Sequence, residues 1–272
     1  MSELRTYFAT ARACARLATE MCLTFKAENV PSVRKGDKTW VTQADTQIEK
    51  ELRSLLAKAH PTHKILGEEE GGEIARGDGE YTWVLDPIDG TFSFVHGIPF
   101  YSSLIALLKG NQPVLGIASL PAMGIEMSAL KGEGVWINAE PYVRSALVGK
   151  QNIEVVATAD PYRFRMENQE KVLEKFYAEP FRARTYPDAL GYYFVLQGHV
   201  RAFVDPKVEV WDVAPFHVIL PEAGFAIHTW NEKDLQNVPL QRGTSVAYAL
   251  DPSTRAPLNC SDVLQVIQSD LR

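Results

Sequence analysis

The sequence predicts a chain whose first part is α+β and whose second part is α/β, and three observations carry that reading. Two amphipathic helical patterns come first. A succession of strand-like runs with turn signals and no intervening helices follows, up to Ile137. Beyond about residue 150, strand and helix patterns alternate. We place the division at 145, with 1–145 holding a helix pair and an antiparallel sheet and 146–272 forming an α/β half.

Leu4, Phe8, Ala11, Ala15, Ala18, Cys22 and Phe25 recur at steps of three and four, so residues 3–28 read as an amphipathic helix. Val30-Pro31 ends it, and Lys35-Gly36-Asp37-Lys38 is a polar turn. Thr42 and Asp45 have the spacing of a capping pair, a hydroxyl at the N-cap and an acid three residues on. Ile48, Leu52, Leu55, Leu56 and Ala59 then mark the apolar stripe of a second helix.

His63–Leu66 reads as a short strand, and Gly71 to Gly79 as a glycine-rich charged loop. Trp83–Leu85 is the apolar end of a buried strand, which stops at Asp86-Pro87 because proline has no ladder donor. Leu104–Leu108, Val114–Leu120, Glu126–Leu130 and Gly134–Ile137 complete an antiparallel meander. In the second half, strands are expected at Ile153–Thr158, Phe181–Thr185, Val200–Val204 and Thr244–Leu250. Helices are expected at Glu167–Ala178, Ala189–Leu196, Val213–Leu220 and Ser261–Leu271.

The chemistry centres on Trp83-Val84-Leu85-Asp86-Pro87-Ile88-Asp89-Gly90-Thr91. Asp89-Gly90 turns the chain, with Thr91 as cap of the helical turn that follows, so two carboxylates project from one tight loop. Holding them together is costly unless a cation lies between them, and hard oxygen ligands favour magnesium, manganese or calcium over zinc. Asp-Pro also occurs at Asp160, Asp205 and Asp251, so the dipeptide alone is ordinary turn chemistry. Glu68-Glu69-Glu70 upstream and Trp211-Asp212 downstream supply the acidic context.

Gly67-Glu68-Glu69, the Trp83–Thr91 segment, Trp211-Asp212-Val213-Ala214 and Glu222-Ala223-Gly224 occur in an order that resembles the inositol monophosphatase family, from about Lys35 to Gly224. The resemblance implies a layered α-β-α-β-α sandwich and magnesium-dependent hydrolysis of a phosphate monoester. It implies two Mg2+ ions, with a third, weaker one near Glu68. Glu68, Asp86 and the Ile88 carbonyl would hold the first ion, and Asp86, Asp89 and Asp212 the second. Thr91 with Glu68 would position the attacking water, and the N–H groups of Gly90 and Thr91 would receive the phosphate. Lys35, Thr42, Asp45 and Glu69 would support the ligands from behind. Read from the residues alone, Thr42 and Asp45 are a helix cap, Glu69 and Glu70 a solvated acidic loop, and Asp212 a first-turn acid stabilised by the helix dipole.

Asp205, seven residues before Asp212, stands where the family places an acid against the non-phosphate part of the substrate. Arg184-Thr185-Tyr186-Pro187-Asp188-Ala189-Leu190-Gly191-Tyr192 resembles the histidinol-phosphatase branch, which makes Asp188 and Tyr192 further substrate contacts. As plain structure they are a helix cap and a core aromatic. Three residues depart from the pattern: Pro187 replaces a glycine, Phe92 an arginine or lysine, and Phe225 a second glycine. Histidinol phosphate is therefore the expected substrate, with inositol phosphate or a broader range of sugar phosphates as the alternative. A non-catalytic binding or scaffold protein with this fold is the alternative of another class.

The 272 residues are 46% hydrophobic and 23% charged, with a net charge of −6, which argues against a nucleic-acid surface. No run is long and apolar enough for a membrane span. Cys14, Cys22 and Cys260 lack metal-ligand spacing and fit reduced thiols in the cytoplasm. His96, His199 and His217 fit no metal spacing, Ser102-Ser103 lacks the glycine frame of a nucleophile elbow, and no nucleotide-binding glycine motif is present. The resemblance further implies a homodimer and inhibition by lithium.

Overall fold

The computed structural model describes residues 3–28, 32–34, 40–75, 77, 79–144, 154–167, 170–178, 181–230 and 245–250. Helix α1 (Glu3–Glu28) is followed by a small antiparallel pair, β1 (Ser32–Arg34) and β2 (Trp40–Thr42). Three-residue strands are too short to register as a period-two pattern, and the sequence reading has none here. Helix α2 (Gln43–Ala59) opens on the expected capping box: Thr42 Oγ1 accepts from Ala44 N–H, and Asp45 Oδ2 accepts from Thr42 N–H at 2.8 Å.

Strand β3 (Lys64–Gly67) lies parallel to β4 (Tyr81–Asp89). After helix α3 (Thr91–His96), the meander runs through β5 (Ser102–Lys109), β6 (Gln112–Leu120), β7 (Ile125–Leu130), β8 (Gly134–Ile137) and β9 (Glu140–Pro141), each antiparallel to the last. Strand β4 does not stop at Asp86 as expected. It continues to Asp89, and its register against β5 slips between Asp86↔Leu104 and Asp89↔Ser102. The missing N–H of Pro87 is tolerated because the ladder is already interrupted at this bulge.

One buried cluster joins the two helices to the sheet. It includes Ala11, Cys14, Ala15, Ala18 and Cys22 of α1, Ile48, Leu52 and Leu56 of α2, and Trp83, Leu85, Ile105 and Leu107 of β4 and β5. Burying each larger aliphatic side chain contributes about 1.5–3 kcal/mol. Burial also pushes the Cys14 and Cys22 thiols up to about 12, so neither is a ready nucleophile.

The second half contains β10 (Glu154–Thr158), α4 (Pro161–Met166), α5 (Glu170–Phe176), β11 (Phe181–Thr185), α6 (Asp188–Leu196) and β12 (Ala202–Val208). Then come α7 (Val210–Val213), α8 (Phe216–Glu222), β13 (Ala226–Trp230) and β14 (Ser245–Leu250). The sheet order is β11-β10-β12-β14-β13, with β10 parallel to both its neighbours and β14 antiparallel to both of its own. The sequence reading lacks β13.

Two expected helices differ. That expected over Glu167–Ala178 begins at Glu170, and α4 precedes it, capped by Asp160 Oδ1 on Tyr162 N–H at 2.9 Å with Pro161 at the first helical position. That expected over Val213–Leu220 is two helices, with Ala214 and Pro215 between them. The closing helix expected at Ser261–Leu271 lies outside the described residues. Among the described residues no helix is long and apolar enough to cross a membrane.

The described residues form two compact units. One comprises 3–142 with Val210–Glu222, and the other Val143–Glu209 with 223–230 and 245–250. Thus α7 packs against β4 and β5, and α8 against β6, β7 and β8. Glu222 at the end of α8 fixes this docking, its two oxygens accepting from Gly132 N–H at 2.9 Å and Gly134 N–H at 3.1 Å.

Candidate metal centre

The end of β4 and the start of α7 bring three carboxylates together. One oxygen each of Asp86, Asp89 and Asp212 lies within 4.8 Å of the others. Asp86 is 1% exposed, and its Oδ1 has no hydrogen-bond partner among the described residues. Burial raises the Asp86 carboxyl well above the usual range, and the charges of Glu68, Asp89, Asp212 and Asp45 push it further. A buried acceptor with no donor, ringed by acids, is the donor set of a hard cation, so these residues fit a divalent metal. Glu68 is not one of the three clustered groups. It sits half-buried on the turn after β3, its N–H donating to Leu85 O at 3.2 Å, and acts on Asp86 through its charge.

Gly90, not Thr91, is the N-cap of α3. It adopts a left-handed backbone with φ of 79°, which a side chain would strain, and Thr91 is the first helical residue. That shift leaves the Thr91 hydroxyl free of capping. It lies 3.0 Å from Ile88 O and 3.3 Å from Asp45 Oδ1. The Asp45 carboxyl, buried and held by Thr42, is pushed up to about 6, chiefly by burial. The capping pair of α2 is thus also the wall behind Thr91. Glu69 is half-buried on the turn with Glu68, and its charge raises Asp45 slightly. Lys35 lies outside the described residues.

The candidate substrate residues belong to the second unit. Asp205 is buried in β12 at the slip against β14. Its Oδ1 accepts from Lys207 N–H at 3.0 Å, and Oδ2 lies 3.5 Å from Arg163 Nη1. Burial raises its carboxyl to about 6 against the opposing pull of Arg163. Asp188 is not the cap of α6: Pro187 holds that position, and Asp188 follows with φ of 57°. Burial raises its carboxyl, again against Arg163. Tyr192 is 2% exposed and packs edge-on against Phe203, ring centroids 4.7 Å apart.

Sequence reasoning singled out none of Ser102, Glu49 and Arg163 for these roles. Ser102 Oγ donates to Asp89 Oδ2, Glu49 is buried beneath the Glu68 turn, and Arg163 faces Asp205. For Glu49 a signal was present, a charged residue beside Ile48 and three before Leu52 on an otherwise apolar stripe.

The acid cluster can hold a divalent cation, and comparison with known proteins gives the family. The model of the "Inositol monophosphatase family" matches residues 3–267. A histidinol-phosphatase of Mycobacterium tuberculosis is 33% identical over 198 residues, covering 70% of this chain and 74% of that protein. An inositol-1-monophosphatase of Caulobacter vibrioides is 32% identical over 205 residues, covering 74% and 80%. A crystal structure of an IMPase/NADP phosphatase complexed with Mg2+ and phosphate superposes with a TM-score of 0.82 at 18% identity, covering 99% of this chain and 97% of that one. The chain belongs to the inositol monophosphatase family and has its fold. It is a phosphatase.

Proposed function

We propose that the chain hydrolyses a small phosphate monoester with magnesium as cofactor, and that histidinol phosphate is its preferred substrate. The observation that carries the metal reading is the buried, partnerless Asp86 Oδ1 within the Asp86–Asp89–Asp212 cluster. In this reading Glu68, Asp86 and the Ile88 carbonyl hold one ion, and Asp86, Asp89 and Asp212 a second. The Ile88 oxygen accepts from Thr91 and keeps a second lone pair for a cation. Bound magnesium supplies water activation and charge neutralisation at the leaving oxygen.

The protein's own groups do the rest. The Thr91 hydroxyl, between Ile88 O and Asp45, orients the attacking water together with Glu68. Asp45, with its raised affinity for a proton, stands behind Thr91 as an acceptor. Backbone N–H groups of Gly90 and Thr91 hold the phosphate oxygens, and water attacks phosphorus directly, with no covalent intermediate.

For the substrate, Asp205 and Asp188 offer charge-assisted hydrogen bonds to the ammonium of histidinol phosphate. The histidinol-phosphatase relative and the Arg184–Tyr192 run support this choice. A second reading, inositol phosphate or another polyol phosphate, draws on the Arg163 side chain that already faces Asp205. The test compares kcat/KM for histidinol phosphate and inositol 1-phosphate. The first should exceed the second, and Asp205→Ala should shrink the ratio. An equal or reversed ratio in the wild-type protein selects the polyol reading. The homodimer implied by the family belongs to the same proposal and is checked by light scattering.

A further inference from the structure

Helix α2 carries a glutamate on the face that it buries. Glu49 is fully buried. Its Oε2 accepts from Glu69 N–H at 2.8 Å, and its Oε1 from Glu70 N–H at 3.0 Å and Arg53 Nε at 2.8 Å. Arg53 also donates to the Gly71 carbonyl and stands 3.4 Å from Glu70 Oε2. The turn is closed on itself as well, with Gly67 and Gly71 exchanging backbone hydrogen bonds of 3.0 and 3.1 Å. Gly67 leaves the carboxylate its room: a Cβ there would stand 2.2 Å from Glu49 Oε1.

The turn so held is the one that carries Glu68. Three consecutive acids, Glu68, Glu69 and Glu70, stand on it, and Glu68 and Asp86 repel each other across the centre. With no cation between them, that repulsion opposes the close approach of the turn to Asp86. The Glu49–Arg53 pair opposes it by gripping the backbone, and being a pair of opposite charges it adds no net charge to the site. We infer that Glu49 is a positioning residue. It holds the backbone of residues 67–71 so that the Glu68 carboxylate already faces Asp86 when magnesium arrives. The inference rests on the reading of Glu68 and Asp86 as metal ligands.

The test uses the full chain and magnesium alone. In the wild-type metal-free protein, the Glu69 and Glu70 amides should exchange hydrogen slowly, although Glu70 is an exposed residue on a turn. Glu49→Gln replaces one acceptor oxygen by an amide that cannot accept, turning a donor towards a donor. It should weaken magnesium binding, measured by calorimetry, roughly 10–100-fold. Gly67→Ala, which drives Glu49 from its place, should do the same. A merely structural role would lower the melting temperature of the metal-free protein and leave the magnesium-induced rise unchanged. Unprotected Glu69 and Glu70 amides in the wild-type protein overturn the inference whether or not the variants fold. Wild-type magnesium affinity in Glu49→Gln overturns it too. Asp89→Asn separates the two failures. If it abolishes magnesium binding while Glu49→Gln does not, only the positioning role is lost. If neither weakens binding, the metal reading falls with it.

Discussion

Ser102 Oγ donates a 2.6 Å hydrogen bond to Asp89 Oδ2, and both side chains are buried. The bulge in β4 makes this possible by bringing Asp89 opposite Ser102 in the register with β5. Ser102→Ala removes this donor from a buried, charged acceptor. Urea denaturation of the metal-free protein should show a loss of about 1–3 kcal/mol. The magnesium concentration for half-maximal activity should rise as Asp89 loses its fixed orientation. Unchanged stability and magnesium dependence would mean that the bond fixes nothing.

Thr91 offers a hydroxyl where no capping role consumes it. Thr91→Ala should lower kcat by roughly 10²–10⁴-fold, the range for loss of a positioned proton-transfer partner. Magnesium dependence should change little. Thr91→Ser keeps the hydroxyl and should recover much of the rate. Equal losses in the two variants would assign the defect to packing.

Gly116 in β6 lies beneath the junction of α7 and α8, where a Cβ would stand 2.4 Å from the Pro215 carbonyl oxygen. Backbone cannot swing aside as a side chain does, so Gly116→Ala must displace the segment that carries Asp212. It should cost about 1–3 kcal/mol of stability by overpacking and also weaken magnesium binding. Thermal melts with and without magnesium separate the two effects. A stable variant with wild-type magnesium affinity would show that the segment moves without disturbing Asp212.

The stacked imidazoles of His60 and His63, ring centroids 5.0 Å apart, give the fold an acid-sensitive point. Tyr7 packs edge-on to both, His60 Nε2 meets Thr10 Oγ1, and the buried Nδ1 of His63 has no hydrogen-bond partner among the described residues. Burial lowers both pKa values, with mutual repulsion adding for His63 and Glu3 opposing. A depressed folded-state pKa means that the unfolded chain takes up protons first. The stability is therefore present above the ordinary histidine value near 6.5 and is lost progressively as pH falls from there through the lowered folded-state values. Melting temperatures measured from pH 7.5 to 5 should fall, and fall less in His63→Gln. Parallel curves would remove His63 from the account.

How much of this was legible in the sequence depended on the range of the interactions. Periodicity shows α1, α2 and the meander because their faces repeat along many residues. It does not show the end of β4, where a proline reads as a stop and the bulge that accommodates it depends on β5. Strand β13 is short, and its partner β14 lies beyond it in the chain, so nothing local marks it. The grouping of Asp86, Asp89 and Asp212 was implied by the family resemblance, which rests on dense local patterns of tryptophan, aspartate and turn residues; from the residues alone, Asp212 reads as a first-turn helix acid. Glu49 showed only as a charge on the apolar stripe of α2, without its role, and the roles of Ser102 and Arg163 did not show at all. Their partners are a remote backbone turn, a residue thirteen positions away and a buried strand acid, and no spacing rule connects them.

On the proposed reading, the acid cluster at the end of β4 works by holding magnesium. Phosphate release from a small phosphate monoester, by wild-type protein and Asp89→Asn, with magnesium and then with excess chelator, tests it most directly. Wild-type turnover should be abolished by chelator and restored by added magnesium. The Asp89→Asn variant should fold but not turn over. Full wild-type turnover in metal-free buffer, or near-wild-type activity of Asp89→Asn at limiting magnesium, would contradict the proposed reading.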